Sequence, residues 1–284
     1  MEFIPCSFQP ESIRAYQLLF AKCFPSARHM TESYLNWLYG SNPEGAVVGF
    51  DAFDGEKLVA HYACVPANAT ISNQHRRGLL SLNTATHPDY QGKGLFTKLA
   101  TATYEHAANN GYSFVYGVAN ANSTPGFIKK LGFTLVTPLD AKVGIGRLSV
   151  GDWKKTIEAA DFRRSWTADS FKWRINNPAN PATVATRSDG SVAFECSSRR
   201  PLIRAYGETW LDELRVESNG AILPGAKVFI GLFPAPVKPY RTYVTIPAKF
   251  RPSVLNLIYR DLLQSSFNIE TSGVLLNFFD FDAF

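Results

Sequence analysis

Hydrophobic positions in the first half of the chain follow two spacings, one typical of helices and one typical of strands. Residues 10–23 carry apolar side chains three and four positions apart, which predicts a helix packed on one face. A second helix is predicted from Thr31, a favourable N-cap, to the stop at Asn42 and Pro43. Residues 47–65 form two extended runs joined by an Asp-Gly dipeptide, which suits a tight hairpin turn.

The rest of the first half continues to alternate strands with helices. Strands are predicted at residues 1–7 (at an edge), 78–86, 114–118, 134–136 and 141–145, the last two as closing strands. Helices are predicted at residues 95–110 and 125–131, each followed by a glycine, and a connecting helix or linker at 151–161. This order of elements predicts an α/β (α+β) fold with a mixed sheet.

Two segments in different halves of the chain share an ordered set of residues. Thr31 and Thr167 each lead a predicted helix, a tryptophan follows six residues later, and Asn-Pro ends both helices. An Asp-Gly turn between extended residues follows in each case. The shared order favours an internal duplication over chance. The second half has no counterpart of the glycine-rich residues 91–94, so a duplicate would have lost that loop.

The composition narrows the class of protein. The chain has 284 residues, 45% hydrophobic and 19% charged, which is enough apolar material for a sizeable core. Its 29 Lys and Arg against 24 Asp and Glu give a net charge of +5, too mild for a nucleic-acid-binding protein. The cysteines Cys6, Cys23, Cys64 and Cys196 lack the spacing of a disulfide framework or a zinc site.

Targeting and membrane signals are not visible in the sequence. The residues after Met1 lack the basic start and long apolar run of a secretion signal. No run reaches the roughly 18 apolar residues that a spanning helix needs. Together with the expected free thiols, this predicts a cytoplasmic protein without a membrane span.

A glycine-rich connection links the predicted strand ending at Thr86 to the helix beginning at Leu95. Gly92 and Gly94 lie in this turn, where a side chain would block the close approach of a ligand. Backbone N–H groups at a helix N-terminus lack intrahelical partners and lie at the positive end of the helix dipole, so they can bind phosphate oxygens. The segment lacks the Gly-Lys-Ser/Thr of the Walker pattern and the third glycine of the dinucleotide pattern.

Two motifs, in order, resemble the signatures of the GCN5-related N-acetyltransferase (GNAT) superfamily. Residues 91–96, Gln-Gly-Lys-Gly-Leu-Phe, resemble its Q/R-x-x-G-x-G/A motif, with Phe96 in place of the usual Gly or Ala. Residues 127–133 resemble its second signature, a short helix that ends in Leu-Gly-Phe. The resemblance implies a GNAT-like mixed β-sheet flanked by helices in an acyl-CoA-binding domain at residues 1–148. A second, degenerate GNAT-like half at residues 149–284 would follow.

The resemblance also implies an acyl-CoA donor, carrying acetyl or another short acyl group. Its pyrophosphate would lie on the amides of the glycine loop, and its pantetheine would pair with the preceding strand like an added strand. The donor-binding residues so implied are Ala85, Thr86, Gln91, Gly92, Lys93, Gly94, Leu95, Phe96, Thr97 and Asn122. The N–H of Thr84 would bind the thioester carbonyl as an oxyanion donor. For Asn122, turn and cap chemistry is an equal alternative.

Members of this family often place a base on the strand before the loop and a tyrosine on the helix before Leu-Gly-Phe. The matching positions here are Leu80, Leu82 and Ile128, so both usual proton-handling groups are missing. His61, on the neighbouring hairpin strand, is the substitute base, although a lone strand histidine more often has a structural role. Direct transfer in a ternary complex remains feasible, and we expect neither a metal nor a covalent acyl-enzyme.

The acceptor is suggested by a further resemblance. Residues 81–99, 117–133 and 165–178 resemble bacterial GNAT proteins linked to surface-polysaccharide synthesis. This implies a small-molecule amine acceptor, the amino group of a nucleotide-linked amino sugar of the dTDP-amino-dideoxyhexose type. An antibiotic or peptide amine, and non-catalytic binding of acyl-CoA, stay open as alternatives. If the second half faces the donor cleft, its basic and aromatic residues could line the acceptor pocket: Arg199, Arg200, Arg204, Tyr240, Tyr243 and Phe250.

Overall fold

The structure, a computed structural model, describes residues 1–198, 200–211, 214, 216–263 and 269–283. The helices within these residues are α1 (Pro10–Cys23), α2 (Glu32–Gly40), α3 (Leu95–Asn109), α4 (Thr124–Leu131), α5 (Trp153–Glu158) and α6 (Ala168–Ile175). The predicted helices of the first half agree with α1 to α4 to within a residue or two at each end, apart from the far end of α2. None of the helices described is long and apolar enough to cross a membrane.

A seven-stranded sheet forms the centre of the first half. In spatial order its strands are β1 (Glu2–Pro5), β2 (Val48–Asp54), β3 (Lys57–Pro66), β6 (Gly78–Thr86), β7 (Phe114–Asn120), β16 (Leu255–Asp261) and β8 (Thr134–Pro138). β6 and β7 are parallel, and the other neighbours are antiparallel. The predicted mixed sheet is therefore confirmed.

Helices cover both faces of this sheet. Along β3, Ala63 and Val65 belong to the same core cluster as α1 and α2, whereas Tyr62 and Cys64 belong to the cluster built with α3 and α4. Successive side chains of a strand point to opposite faces, so the two helix pairs lie on opposite sides of the sheet. The first of these clusters also contains residues of the second half, and the two halves therefore share one continuous core.

A ten-stranded sheet is built mainly from the second half, with three strands contributed by the first half. Its main path is β11 (Thr183–Thr186), β12 (Ser191–Ser197), β13 (Ile203–Trp210), β14 (Ala226–Leu232), β17 (Val274–Asn277), β10 (Phe162–Arg164), β4 (Ala69–Ile71) and β5 (Gln74–Arg76), with β9 (Asp140–Ile145) and β15 (Tyr243–Thr245) beside it. From β11 to β14 the pairing is antiparallel, antiparallel, parallel, as it is from β2 through β3 and β6 to β7. The predicted second copy of the fold is therefore confirmed.

The halves exchange strands. β16 comes from the second half of the chain but lies between β7 and β8, while β9 comes from the first half and pairs with β14. The prediction that residues 141–145 close the first sheet is wrong, because β16 occupies the position beside β7 and β9 joins the second sheet. The boundary between residues 148 and 149 stays a prediction, since strands from either side of it pair with the other half.

Candidate functional site

The two parallel strands of the first sheet separate partway along their length. β6 and β7 pair from Gly78 opposite Phe114 to Ser81 opposite Gly117, and no further. Beyond that point residues 82–86 of β6 have β3 on one side and a free edge on the other. An opening therefore lies between these strands, and its free edge offers backbone groups to an extended ligand.

The equivalent opening in the second half is partly occupied by another strand of the protein. β13 and β14 pair in parallel only from Ile203 to Ala205, opposite residues 226–228. Beyond that point β17 pairs with Gly231 and Leu232 of β14. Since β9 already occupies the other edge of β14, β17 lies on the side that β13 has left. Among the described residues of the second half, there is thus no counterpart of the glycine loop, and β17 lies beside β14 where the corresponding edge of β7 has no such strand.

The glycine loop projects into open space at the start of α3. Gly92 and Gly94 have φ angles of 76° and 73°, and no atom lies within 4 Å of the position a Cβ would take at either. Both are in the left-handed region that favours glycine. The first intrahelical bond runs from the Lys98 N–H to the Gly94 carbonyl, which leaves the N–H groups of residues 95–97 at the open helix end.

The predicted loop residues share this exposed turn. Gln91, Gly92, Lys93 and Gly94 are exposed, Phe96 and Thr97 are half-buried, and the Leu95 side chain is buried beneath the loop. The loop is anchored from one side, because the Tyr90 hydroxyl donates to Asp54 at 2.6 Å and Lys93 lies over the Tyr90 ring. These contacts tie the loop to the β2–β3 turn.

Phe96, which departs from the family pattern, does not enter the loop. Its ring makes edge contacts with Tyr62 and Phe127, at centroid distances of 5.9 and 5.3 Å. The larger side chain is therefore accommodated in the core between β3 and α4. The space above the loop stays open for the pyrophosphate that the resemblance implies.

A β-bulge interrupts the pairing of β6 with β3, at the level where the other edge of β6 is free. Between β3 and β6, Tyr62 lies opposite two residues, Asn83 and Thr84, instead of one. Asn83 has a φ of 48°, a left-handed conformation that asparagine tolerates better than most residues. Thr84, the predicted oxyanion donor, is the second residue of the bulge, and Ala85 and Thr86 follow it along the edge. The bulge thus places the predicted donor-binding residues of β6 at the opening.

His61, the predicted base, is fully buried. Its Nδ1 lies 2.6 Å from Asp51 Oδ1, and its Nε2 lies 2.8 Å from the Tyr39 hydroxyl. Both ring nitrogens are thus occupied. The imidazole is linked to the bulge only through Tyr39, whose hydroxyl oxygen accepts a hydrogen bond from Asn83 Nδ2 at 3.0 Å. A catalytic role for His61 stays a prediction, and this geometry gives it an indirect route to the opening.

At the other end of this series of hydrogen bonds, Asp51 accepts from two further donors. The Tyr16 hydroxyl donates to Oδ2 at 2.7 Å, and the Cys6 thiol donates to Oδ1 at 3.4 Å. Within the described ranges, Cys6, Asp51 and His61 are the group whose potential metal-ligating atoms all lie within 4.8 Å of one another. Their mutual hydrogen bonds account for this proximity. Burial and the neighbouring Asp51 raise the pKa of the Cys6 thiol well above its usual range, so the thiol stays protonated.

A small cleft, open to solvent and with only about 20 Å³ of space that water can enter, lies beside β6 on its α2 side. Leu80 and Leu82, the positions where family members often carry a base, line it together with Leu38. The second half contributes the opposite wall: Arg164, Trp166, Trp173, Arg174, Phe279, Asp280 and Asp282. The second half therefore faces the opening in the first sheet, with a wall that the sequence analysis did not identify.

The arginines of this pocket are already paired. Both terminal nitrogens of Arg164 lie 3.2 Å from the carboxylate of Glu44, and both side chains are buried. Arg174 lies 3.2 Å from Asp282. No ion pair to Asp280 is found in the described part of the chain. The pocket therefore presents aromatic rings and a carboxylate rather than an unpaired cation.

Asp280 has an unusual environment for a carboxylate. It is 4% exposed, and it accepts hydrogen bonds from the Trp166 indole N–H at 3.1 Å and the Asn277 N–H at 2.7 Å. Burial raises the pKa of its carboxyl group to about 6, although these donors and two arginines act against the rise. A carboxylate with this pKa is ionised at pH 7 and can bind an ammonium group.

Several other predicted residues lie elsewhere. Arg200, Arg204, Tyr240, Tyr243 and Phe250 do not line this pocket, and Arg199 lies outside the described residues. Within the second half, Arg204 lies 3.6 Å from Glu195, and the two tyrosines belong to a separate apolar cluster. These side chains therefore do not line the pocket beside β6, and a role for them in binding the acceptor stays a prediction.

Asn122 lies in the exposed turn before α4. Its backbone N–H donates to the side chain of Asn120 at 3.0 Å, and the N–H of Ser123 does the same. The turn chemistry considered for these asparagines is thus present at Asn120. Contact between Asn122 and pantetheine stays a prediction.

Comparison with protein families supports the assignment of the first half. Residues 7–136 match the family described as acetyltransferase (GNAT) domain. The resemblance noted in the sequence is therefore confirmed for this domain. No curated protein matches the sequence.

Solved structures share the fold across both halves. A probable N-acyltransferase from Enterococcus faecalis aligns with a TM-score of 0.61 at 12% identity, over 92% of this chain and 72% of that one. A GCN5-related N-acetyltransferase from Anabaena variabilis aligns with a TM-score of 0.60 at 12% identity, over 92% and 73%. Eis1 from Mycobacterium abscessus aligns with a TM-score of 0.56 at 12% identity, over 92% and 74%. At this identity the likeness is one of fold.

Proposed function

We propose that this chain, whose residues 7–136 match the GNAT acetyltransferase domain, transfers an acyl group from acyl-CoA to an amine. The observation that carries the proposal is the exposed glycine loop at the start of α3, close in sequence to the free edge of β6. The domain match and the shared fold support acyl-CoA-dependent N-acyltransferase activity. The reaction would take place in the cytoplasm.

The glycine loop and the strand edge would bind different parts of the acyl-CoA donor. The amides of residues 92–96 would hold the pyrophosphate at the helix N-terminus, and pantetheine would pair along Ala85 and Thr86. The N–H of Thr84 would then donate to the thioester carbonyl oxygen, where negative charge develops during attack. Each of these steps uses backbone donors. Binding of the donor would therefore depend on the conformation of the loop and the bulge more than on the identity of their side chains.

The chemistry proposed is direct transfer within a ternary complex. The neutral amine attacks the thioester carbonyl carbon, a C–N bond forms, the C–S bond breaks, and the thiolate of CoA leaves. The attacking nitrogen gives up one proton to solvent or to a nearby base, and the thiolate takes one up. Positioning both substrates on one strand edge supplies a large part of the rate enhancement without a covalent intermediate.

For the acceptor we propose the amino group of a nucleotide-linked amino sugar of the dTDP-amino-dideoxyhexose type, in surface-polysaccharide synthesis. The support is the sequence resemblance at residues 81–99, 117–133 and 165–178, together with a net charge of +5. A nucleotide diphosphate is compatible with a mildly basic protein.

One observation favours a second candidate, the phosphate-free amine of an antibiotic or peptide. In the pocket beside β6, Arg164 and Arg174 are each paired with a carboxylate, while Asp280 carries no ion pair within the described residues. Trp166 and Trp173 also line this pocket, with Arg164 over the Trp166 ring and Trp37 stacked on Trp173. An ammonium group suits this wall better than a diphosphate does.

An acyl-transfer assay distinguishes these possibilities. The purified chain is incubated with acetyl-CoA and, separately, a dTDP-amino sugar, a polyamine antibiotic and a peptide with a free amine. The expected result is an N-acylated product, detected by mass spectrometry, with one equivalent of free CoA. Product from the nucleotide sugar alone supports the first acceptor, and product from the other amines supports the second. Tight acyl-CoA binding with no product from any amine contradicts the enzymatic proposal and supports a binding protein.

A further inference from the structure

Asn83 adopts a backbone conformation that its surroundings must hold in place. In bulges of this kind the left-handed position is usually glycine, and a residue with a side chain there costs conformational energy. The φ of Asn83 is 48°, and its side-chain amide donates to the Tyr39 hydroxyl at 3.0 Å. Tyr39 belongs to α2, which packs on the face of the sheet opposite to α3, the helix that follows the glycine loop. Tyr39 thus restrains the residue next to Thr84.

Tyr39 is itself fixed by a buried chain of hydrogen bonds. Its hydroxyl donates to His61 Nε2 at 2.8 Å, and His61 Nδ1–H donates to Asp51 at 2.6 Å. This direction follows from Asn83 Nδ2, which can only donate, so the Tyr39 oxygen accepts and its O–H is free to donate onward. Tyr39 and His61 are fully buried and Asp51 nearly so. Every link therefore has one donor and one acceptor, and the two links from Tyr39 to Asp51 are buried away from water.

We propose that Asp51, His61 and Tyr39 are positioning residues that hold the bulge at residues 83–84 so that the Thr84 N–H is directed at the thioester carbonyl. The inference rests on the proposed acyl transfer. Asp51 fixes the His61 tautomer, His61 orients the Tyr39 hydroxyl, and Tyr39 holds Asn83. An oxyanion donor fixed before the donor substrate binds needs no reorganisation during the reaction.

The series of hydrogen bonds ends at Asn83 in the bulge, and this end point distinguishes the proposed role from ordinary core stabilisation. Tyr104 provides the comparison, because its hydroxyl is also buried and hydrogen-bonded, to Tyr62, but it lies in the cluster on the α3 side of the sheet. Loss of either hydroxyl removes a buried hydrogen bond. Only loss of the Tyr39 hydroxyl releases Asn83.

The first test compares Tyr39→Phe with the control Tyr104→Phe. The expected result is a fall in kcat of at least about tenfold for Tyr39→Phe, the scale of a misdirected oxyanion donor, with KM for acyl-CoA within about twofold of wild type. Tyr104→Phe should leave kcat within about twofold. Equal kcat values for the two variants would overturn the proposal.

A double-mutant cycle tests the link to the bulge itself. Glycine adopts the left-handed conformation without help, so Asn83→Gly should make the bulge independent of Tyr39. In the Asn83→Gly background, adding Tyr39→Phe is expected to change kcat by no more than about twofold. The same loss from Tyr39→Phe in both backgrounds would mean that Tyr39 does not act through Asn83.

A measurement without turnover separates this inference from the proposed function. Hydrogen–deuterium exchange of the peptide covering residues 79–86 should speed up in Tyr39→Phe and remain at the wild-type rate in Tyr104→Phe. If the wild-type chain acylates no amine, the proposed function fails and the exchange comparison alone decides whether Tyr39 holds the bulge. Equal exchange in both variants would refute that role whatever the activity.

Discussion

Trp37 and Trp173 are stacked on each other and hydrogen-bonded in both directions. Their ring centroids lie 4.5 Å apart with an interplanar angle of 17°. The indole N–H of each donates to the backbone carbonyl of the other, at 3.0 Å in both cases. The two tryptophans occupy matching positions in α2 and α6, so the repeat seen in the sequence becomes a reciprocal contact between the halves. Each indole also satisfies a carbonyl in the last turn of the partner helix.

Replacing Trp37 by phenylalanine should weaken this joint between the halves. Trp37→Phe keeps an aromatic ring but removes one N–H and leaves the partly buried Trp173 carbonyl with one donor fewer. The expected cost is about 2 kcal/mol in the free energy of unfolding, measured by urea denaturation. Trp173→Phe should cost a similar amount, and the double variant should cost less than the sum because both changes act on one stack.

Trp153 provides the control for this prediction. It is also buried, but its indole N–H has no hydrogen-bond partner among the residues described. Trp153→Phe therefore removes a ring edge without breaking a hydrogen bond, and its cost should be clearly smaller. Equal costs for Trp37→Phe and Trp153→Phe would show that the reciprocal bonds add nothing to stability.

The glycine loop allows a closely matched test of donor binding. Gly94 and Gly146 have φ angles of 73° and 75°, and neither has an atom within 4 Å of its Cβ position. Leucine at either position therefore meets the same backbone penalty and no clash. Gly94→Leu should raise the Kd for acetyl-CoA at least about tenfold in calorimetry, because the side chain occupies the space for the pyrophosphate. Gly146→Leu should leave the Kd unchanged, and a matching effect in both variants would contradict the loop assignment.

Local signals in the sequence predict the helices well and the strand partners poorly. Thr31 caps α2 as expected, with its side chain accepting from the Tyr34 N–H at 3.3 Å. A cap depends on neighbouring residues, so its pattern is readable. The exchange of β9 and β16 leaves no such mark, because each is an ordinary run of strand-forming residues and either sheet could accept it.

In the candidate site too, the contiguous motif can be predicted from the sequence, whereas contacts between distant elements cannot. The glycine loop is contiguous, and its motif predicts the open turn observed. The chain from Asp51 through His61 and Tyr39 joins three separate elements and has no sequence spacing to reveal it. Asn83 offers one local hint, since it breaks the apolar alternation of β6. Asp280 offers another as an acidic residue among the phenylalanines of residues 278–281, but its distance from β6 in sequence hides the contact.

The buried pair between Glu44 and Arg164 joins the first half to the second. Glu44 also accepts a hydrogen bond from the Asn68 N–H at 2.7 Å, so its carboxylate is fully used. Glu44→Gln leaves a buried guanidinium without its counter-charge and should cost about 3 kcal/mol in the free energy of unfolding. Arg147→Gln is the control, because Arg147 and Asp189 form a pair with side chains 56% and 46% exposed. Its cost should stay below about 0.5 kcal/mol, and comparable losses in the two variants would refute the burial argument.

The raised pKa of Asp280 makes stability depend on pH in a stated direction. Burial raises the pKa of this carboxyl group to about 6 in the folded chain, against roughly 4 for an unfolded aspartate. Between these values the native state binds more protons than the unfolded state, so stability falls as pH rises from about 4 to about 6. Above that range the contribution is constant. A shift of this size corresponds to about 3 kcal/mol.

Asp280→Asn tests this by removing the titrating group. At every pH the asparagine amide has one hydrogen-bond acceptor fewer than the carboxylate, which adds a constant offset to the difference in stability between variant and wild type. The informative quantity is therefore how this difference changes with pH. The free energy of unfolding of Asp280→Asn minus that of wild type should rise by about 3 kcal/mol between pH 4 and pH 7, measured by urea denaturation. For Asp189→Asn the difference should be flat over the upper part of this range. Hydrogen bonds from Ser191 are the main cause that lowers the pKa of Asp189, and its contribution is lost only at lower pH. A flat profile for Asp280→Asn would mean that the carboxylate is solvated well enough to ionise normally, and would weaken the proposal that it binds the acceptor amine.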